Sequence, residues 1–231
     1  MTNEKMLKRC MEMAILLDDD NRFYYDFCMN NNDPDGFGLG GMLARMVIDL
    51  KADIAAEECR SAGRSGALNA AKRIIKSAKR GTKPALYGSW MEDDLQCYCD
   101  GCRGVRLCNP LPTEEVPEET EKMSFSNVID TATKNIGPEL SLPSIPDLKA
   151  HIKIEKAAKK ASNSNKKPVY DFGSGLPMVD AEFLLDMLEL LPDCTATAAR
   201  YSPELGAIYF KADAGDGVLL PVRKKKEEAA S

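Results

Sequence analysis

Two Asp-Gly pairs, Asp100-Gly101 and Asp216-Gly217, constrain this chain more than any other feature. An Asp-Gly pair between short β-prone runs is a hairpin signal, because both positions accept the positive φ that a tight turn requires. Each pair follows an amphipathic helix and two such runs, and each precedes a strand containing an arginine. The first copy is a helix over 67–80, then strands at 85–90, 95–99 and 103–108, with residues 91–94 as a turn. The second is a helix over 179–191, then strands at 194–201, 207–212 and 217–223, with a further strand at 169–173 in front. A helix plus an antiparallel meander, met twice, predicts an α+β fold: a repeated unit with helices on one side of the sheets.

The residues before position 62 read differently. Met6, Met13, Leu16 and Leu17 recur at helical spacing, and Asp18 to Asn21 stop that helix and cap another that carries Phe23, Tyr24 and Phe27. From 42 to 59, Leu43, Met46, Val47, Leu50 and Ile54 form an apolar stripe. The expectation is a small helical domain over 1–62 and an α+β domain over 67–231, with a mobile loop near 155–168. The loop between the second and third helices has part of the pattern of a calcium site. Asn31, Asp33, Asp35 and Gly36 match the start of an EF-hand loop, but Met42 stands where the bidentate glutamate belongs. Gly36, Gly38, Gly40 and Gly41 have no following Gly-Lys-Ser/Thr, which leaves a phosphate loop without its cation.

Composition narrows the class. The formal net charge of −5 excludes a polycation that coats nucleic acid. Apolar runs are short and broken by charge, so no membrane span is expected. Eight cysteines without a secretion signal point to reduced thiols in the cytoplasm. A single histidine, His151, leaves no two-imidazole chemistry, and no Ser/His/Asp set or paired carboxylates stand out, so a non-enzymatic protein is expected.

Two stretches offer binding chemistry. Helix 67–80 places Leu68, Ala71, Ile74, Ile75 and Ala78 on one side. Lys72, Arg73, Lys76, Lys79, Arg80 and nearby Lys83 occupy the rest. Such a surface suits phosphates, where each neutralised charge releases counterions, although cations also favour a helix C-terminus for its dipole alone. Cys97, Cys99, Cys102 and Cys108 cluster in the first meander and present four thiolates for a tetrahedral zinc. Their C-x-C-x2-C-x5-C spacing is not that of paired knuckles. Cys97 and Cys99 alternate along one strand and equally read as two small apolar residues inside a sheet.

Residues 99–105, Cys-Asp-Gly-Cys-Arg-Gly-Val, resemble the Thr-Asp-Gly-Tyr-Arg-Leu-Ala hairpin of DNA sliding clamps of the polymerase III beta-subunit type and of clamp-like phage proteins. The helix around Ala181 to Asp186 and the closing Leu219-Leu220-Pro221-Val222-Arg223 resemble the last helix and final strand of that family. The resemblance spans roughly 67–231. It implies a non-enzymatic protein of DNA replication, without cofactor, that binds DNA or the short peptides of polymerases. Leu220, Pro221, Val222 and Arg223 would then border an apolar peptide pocket. The chain departs from the family in having sequence for about one clamp domain. Its helix 179–191 also carries Asp180, Glu182, Asp186 and Glu189 where clamp helices facing DNA are basic. A monomer or dimer is expected, not a ring, because the polar tail from Lys224 and the Pro/Glu-rich connection over 109–122 suggest a decorated domain. The alternative is a zinc-binding regulatory or interaction module on the cysteine hairpin.

Overall fold

A computed structural model of the chain describes residues 2–17, 19–30, 38–162 and 167–222. It divides into two compact units, Met1–Ser65 and Gly66–Ser231. The calcium candidates Asn31, Asp33, Asp35 and Gly36, and the pocket candidate Arg223, lie outside the described residues.

The first unit is three helices: α1 (Asn3–Ile15), α2 (Asp19–Asn30) and α3 (Gly38–Ser61). Its core is Cys10 and Ala14 from α1, Tyr25 and Cys28 from α2, and Leu43, Ala44, Val47 and Leu50 from α3. Of the α3 stripe, Leu43, Val47 and Leu50 meet that core, Met46 is exposed and Ile54 is half-buried outside it. The aromatic cluster on α2 does form, with Phe23 and Phe27 stacked at 6.4 Å, but it faces solvent. Tyr25 and Cys28, on a different side of the helix, join the core with α3. The glycine run has a packing role. A Cβ on Gly40 would lie 2.0 Å from the carbonyl oxygen of Asn21, so only glycine lets α2 and α3 approach here.

The second unit begins in the first turn of α4 (Ser65–Ala78). Its sheet contains β1 (Trp90–Glu92), β2 (Leu95–Cys99), β3 (Arg103–Leu107), β4 (Ile136–Glu139), β7 (Thr195–Ala199), β8 (Ile208–Ala212) and β9 (Gly215–Leu219). The order is β1-β2-β3-β9-β8-β7-β4, antiparallel throughout. Two meanders, β1-β2-β3 and β7-β8-β9, therefore join along their last strands, an arrangement related by an approximate two-fold axis. Asp100-Gly101 makes the expected turn, with Gly101 at φ 86° and the Asp100 side chain accepting from the N–H groups of Cys102 and Arg103. Asp216-Gly217 does not. The turn between β8 and β9 is Asp213-Ala214, and Asp216 sits inside β9 opposite Arg106 and Lys211. The first meander also starts later than expected: Pro84–Leu86 form a 3-10 turn, and Asp93-Asp94, both at positive φ, join β1 to β2.

The remaining elements are α5 (Ser126–Lys134), α6 (Ile145–Ala161), the hairpin of β5 (Val169–Asp171) with β6 (Met178–Asp180), and α7 (Ala181–Leu190). The helix expected from 179 thus begins at 181, because Asp180 ends β6 and its carboxylate accepts from the N–H groups of Glu182 and Phe183. Gly137 and Pro138 lie in β4 at the sheet edge, where proline's missing donor is tolerated. Residues 155–161, expected in a loop, complete α6.

Helices cover both faces of the sheet, not one. Tyr98, Val105, Gly217 and Phe210 form one cross-strand row. A Cβ on Gly217 would lie 2.6 Å from the Met187 methyl of α7, which places that helix on this face. The neighbouring row, Cys99, Gly104, Val218 and Tyr209, faces the other way. There it packs with Trp90, Cys97, Phe125 and Ile129, where α5 lies. Burial of Phe125, 1% exposed, contributes about 1.5–3 kcal/mol. No helix among the described residues is long and apolar enough to cross a membrane.

Candidate functional site

On the α5 face, that helix and the loop between β7 and β8 enclose an open cleft of ≈ 520 Å³. Its apolar wall is Val128 and Ala132 from α5, Ala199 from β7, Ala207 before β8, Val218 from β9, and Leu220 just after it. Among the described residues, none that lines the cleft is charged. Its polar side chains are partly committed elsewhere: Thr131 donates to the Asn127 carbonyl and Asn135 to the Thr131 carbonyl. Tyr201, which also lines it, is 80% exposed at the rim. A neutral apolar cleft of this size accepts aliphatic or aromatic side chains and offers nothing for a charged group.

Of the expected pocket residues, Leu220 lines this cleft. Pro221 and Val222 do not; the Val222 N–H donates to the Met178 carbonyl of β6 instead. The rest of the wall was missed in the sequence, because it is assembled from elements as far apart as 127 and 220. The exposed Tyr201 and Leu205 in one short loop were the available signal.

No family model, curated protein or solved structure matches this chain.

The six basic candidates on and after α4 are all exposed, but they are not one set. Arg73 turns to α7, its guanidinium 2.6 Å from Asp186 and 2.7 Å from Glu189. Lys79 pairs with Glu114 at 2.5 Å. That leaves Lys72 and Lys76, four residues apart on α4, with Arg80 in the turn after it and Lys83 beyond.

The expected acidic face of α7 is in fact a row of counter-ions. Asp186 is 2% exposed and also meets Arg103, which is itself buried and lies 3.2 Å from Asp100. Glu189 pairs with Lys149 as well as Arg73, Glu182 with Lys156, and Asp180 with Lys167. Burial pushes the Asp186 carboxyl up, against the pull of Arg103 and Arg73. The face therefore presents no free acidic stripe that would repel a polyanion.

The four cysteines do not converge. Cys97 and Cys99 point into the α5-face core, and burial pushes their thiols up to about 12 and about 11, so both stay protonated. Cys102 and Cys108 are exposed at opposite ends of β3, roughly 20 Å apart along an extended strand. Zinc–sulfur bonds are about 2.3 Å. Among the described residues no group of three or more His, Cys, Asp or Glu is placed to hold a metal.

Proposed function

We propose that this is a non-enzymatic, clamp-like protein of DNA replication that takes a short apolar peptide of the polymerase type in the cleft between α5 and the β7–β8 loop. The observation that carries the reading is the cleft itself: neutral, apolar, and bordered by Leu220 at the end of the closing strand. The clamp resemblance assigns a peptide pocket to that end of the chain. The row Lys72, Lys76, Arg80 and Lys83 takes the DNA-facing role in the same reading, with Arg73 and Lys79 withdrawn by their ion pairs. The protein acts as a monomer or dimer, which light scattering in solution measures; a closed ring of higher mass contradicts it.

The deciding test is fluorescence anisotropy with two probes, a labelled peptide that docks on polymerase III beta-subunit clamps and a primed DNA at low salt. Saturable peptide binding that Leu220→Asp or Val128→Asp abolishes supports the cleft. Binding of neither probe ends the reading.

A further inference from the structure

We propose that Glu92 is the positioning residue of the cleft: its carboxylate, carried on edge strand β1, clasps the first turn of α5 and so holds the wall that a peptide contacts. The inference rests on the reading of the cleft as a peptide site.

α5 has nine residues, too few for a helix to persist without tertiary support. Its first-turn N–H groups need acceptors, yet the residue at its N-cap is Phe125, whose side chain accepts nothing and is buried. Glu92 fills the gap from 33 residues away. The Phe125 N–H donates to its Oε2 at 2.7 Å, the Ser126 N–H lies 3.3 and 3.4 Å from its two oxygens, and the Ser124 hydroxyl donates at 2.9 Å. An anion at a helix N-terminus also complements the dipole. Arg106, held bidentately by Asp216, adds a bond to the Ser126 hydroxyl.

The geometry divides α5 in two. Phe125 and Ile129, one turn apart, plug into the core beneath Gly104. Asn127, Val128, Thr131, Ala132 and Asn135 face the cleft. The apolar plug fixes where α5 sits, and the charged clasp keeps its first turn wound, which sets the position of Asn127 and Val128. Binding that needs a wound wall is thermodynamically linked to the clasp, so a peptide in the cleft must in turn protect the α5 amides.

Hydrogen exchange and peptide affinity, measured on the full chain as wild type, Glu92→Gln and Ser124→Ala, test the proposal. In Glu92→Gln the amides of 125–134 exchange about tenfold faster, the effect of losing one good cap, while β3 and β9 keep their protection. The affinity for the labelled clamp-docking peptide falls about tenfold with it. Ser124→Ala shifts both in the same direction by less, and it decides the matter if Glu92→Gln loses protection across the whole sheet. Unchanged α5 exchange overturns the clasp. Faster exchange with equal peptide affinity overturns the positioning role. Faster exchange in a protein whose wild type binds no peptide overturns the cleft reading and leaves Glu92 a cap for α5 alone.

Discussion

The Arg73 guanidinium on α4 lies 2.6 Å from the buried carboxylate of Asp186 on α7, 113 residues later, and this pair removes Arg73 from the basic surface to which its helical position assigns it. Asp186 holds Arg103 at the same time, so one carboxylate bridges a half-exposed and a fully buried guanidinium, with Glu189 and Asp100 as the further counter-charges. Removing it leaves the buried Arg103 with one of its two carboxylates, Asp100 at 3.2 Å. Asp186→Asn is expected to destabilise the second unit by about 3 kcal/mol, and Arg73→Gln, whose side chain is 47% exposed, by less than about 1 kcal/mol. Urea unfolding of both variants checks the ratio; equal effects contradict the arrangement.

The same division predicts the salt dependence of DNA binding. Neutralising Lys72, Lys76 and Arg80 together should lower affinity for primed DNA and make the salt slope shallower by roughly one for each residue that contacts phosphate. Arg73→Gln should leave the slope unaltered. A slope that Arg73→Gln changes as much as Lys76→Gln would place Arg73 back on the surface.

Glu92 links stability to pH. Burial pushes its carboxyl up, but hydrogen bonds from Phe125, Ser124 and Ser126 outweigh that and hold it below the ordinary 4.5. A carboxyl lowered on folding contributes stability that is present above its unfolded value and lost as pH falls through the folded one. Protection of α5 should therefore weaken below about pH 4.5, and Glu92→Gln should remove that dependence. Facing Glu92 are the Cys97 thiol, pushed up to about 12, and Arg106, raised first by its bond to Asp216; because Asp216 and Asp93 are carboxylates of the same cluster, the dependence that Glu92→Gln removes is the share belonging to Glu92. Exchange measured from pH 3.5 to pH 6, a span chosen about that value, reads the effect.

Gly104 and Gly217 are fixed by contacts on opposite faces of the sheet. A Cβ on Gly104 would lie 2.4 Å from the Phe125 ring, and one on Gly217 lies 2.7 Å from the Gly104 carbonyl oxygen. Each Gly→Ala change is expected to cost about 1–3 kcal/mol by overpacking, read as a lowered midpoint in thermal unfolding. At Gly101, where a Cβ would meet nothing, a substitution would be strained only by the φ of 86°.

Thiol chemistry separates the cysteines. In the native protein at pH 8, a condition set near the usual thiol value, iodoacetamide should modify Cys102 and Cys108 and spare Cys97 and Cys99 until the chain is unfolded. Metal analysis of the purified chain should find no stoichiometric zinc; one zinc per chain would require a different placement of these four residues.

What could be read in advance was local. Apolar spacing identified α3 and α4, and Asp100-Gly101 identified a hairpin whose turn needs a residue at positive φ. Alternation placed Cys97 and Cys99 on one buried face. These features depend on neighbours within a few positions, so composition and order determine them directly. Where two local signals competed, the reading slipped: Asp216-Gly217 has turn chemistry but lies in β9, because Asp216 finds Arg106 across the β3–β9 pairing, 110 residues earlier.

Tertiary structure decided everything that depends on such distant partners. The pairing of β3 with β9 made one sheet of two meanders, and helices on both faces followed from which row of side chains each strand presents. The acidic residues of α7 became counter-ions once α4 and α6 brought arginine and lysine against them. The cleft exists because α5, seated by Phe125 and Ile129 and met at its N-terminus by Glu92, lies opposite Ala199 and Leu220. A charge or an apolar side chain has its character from the sequence, but its role depends on what lies within a few ångströms, and the fold alone sets that.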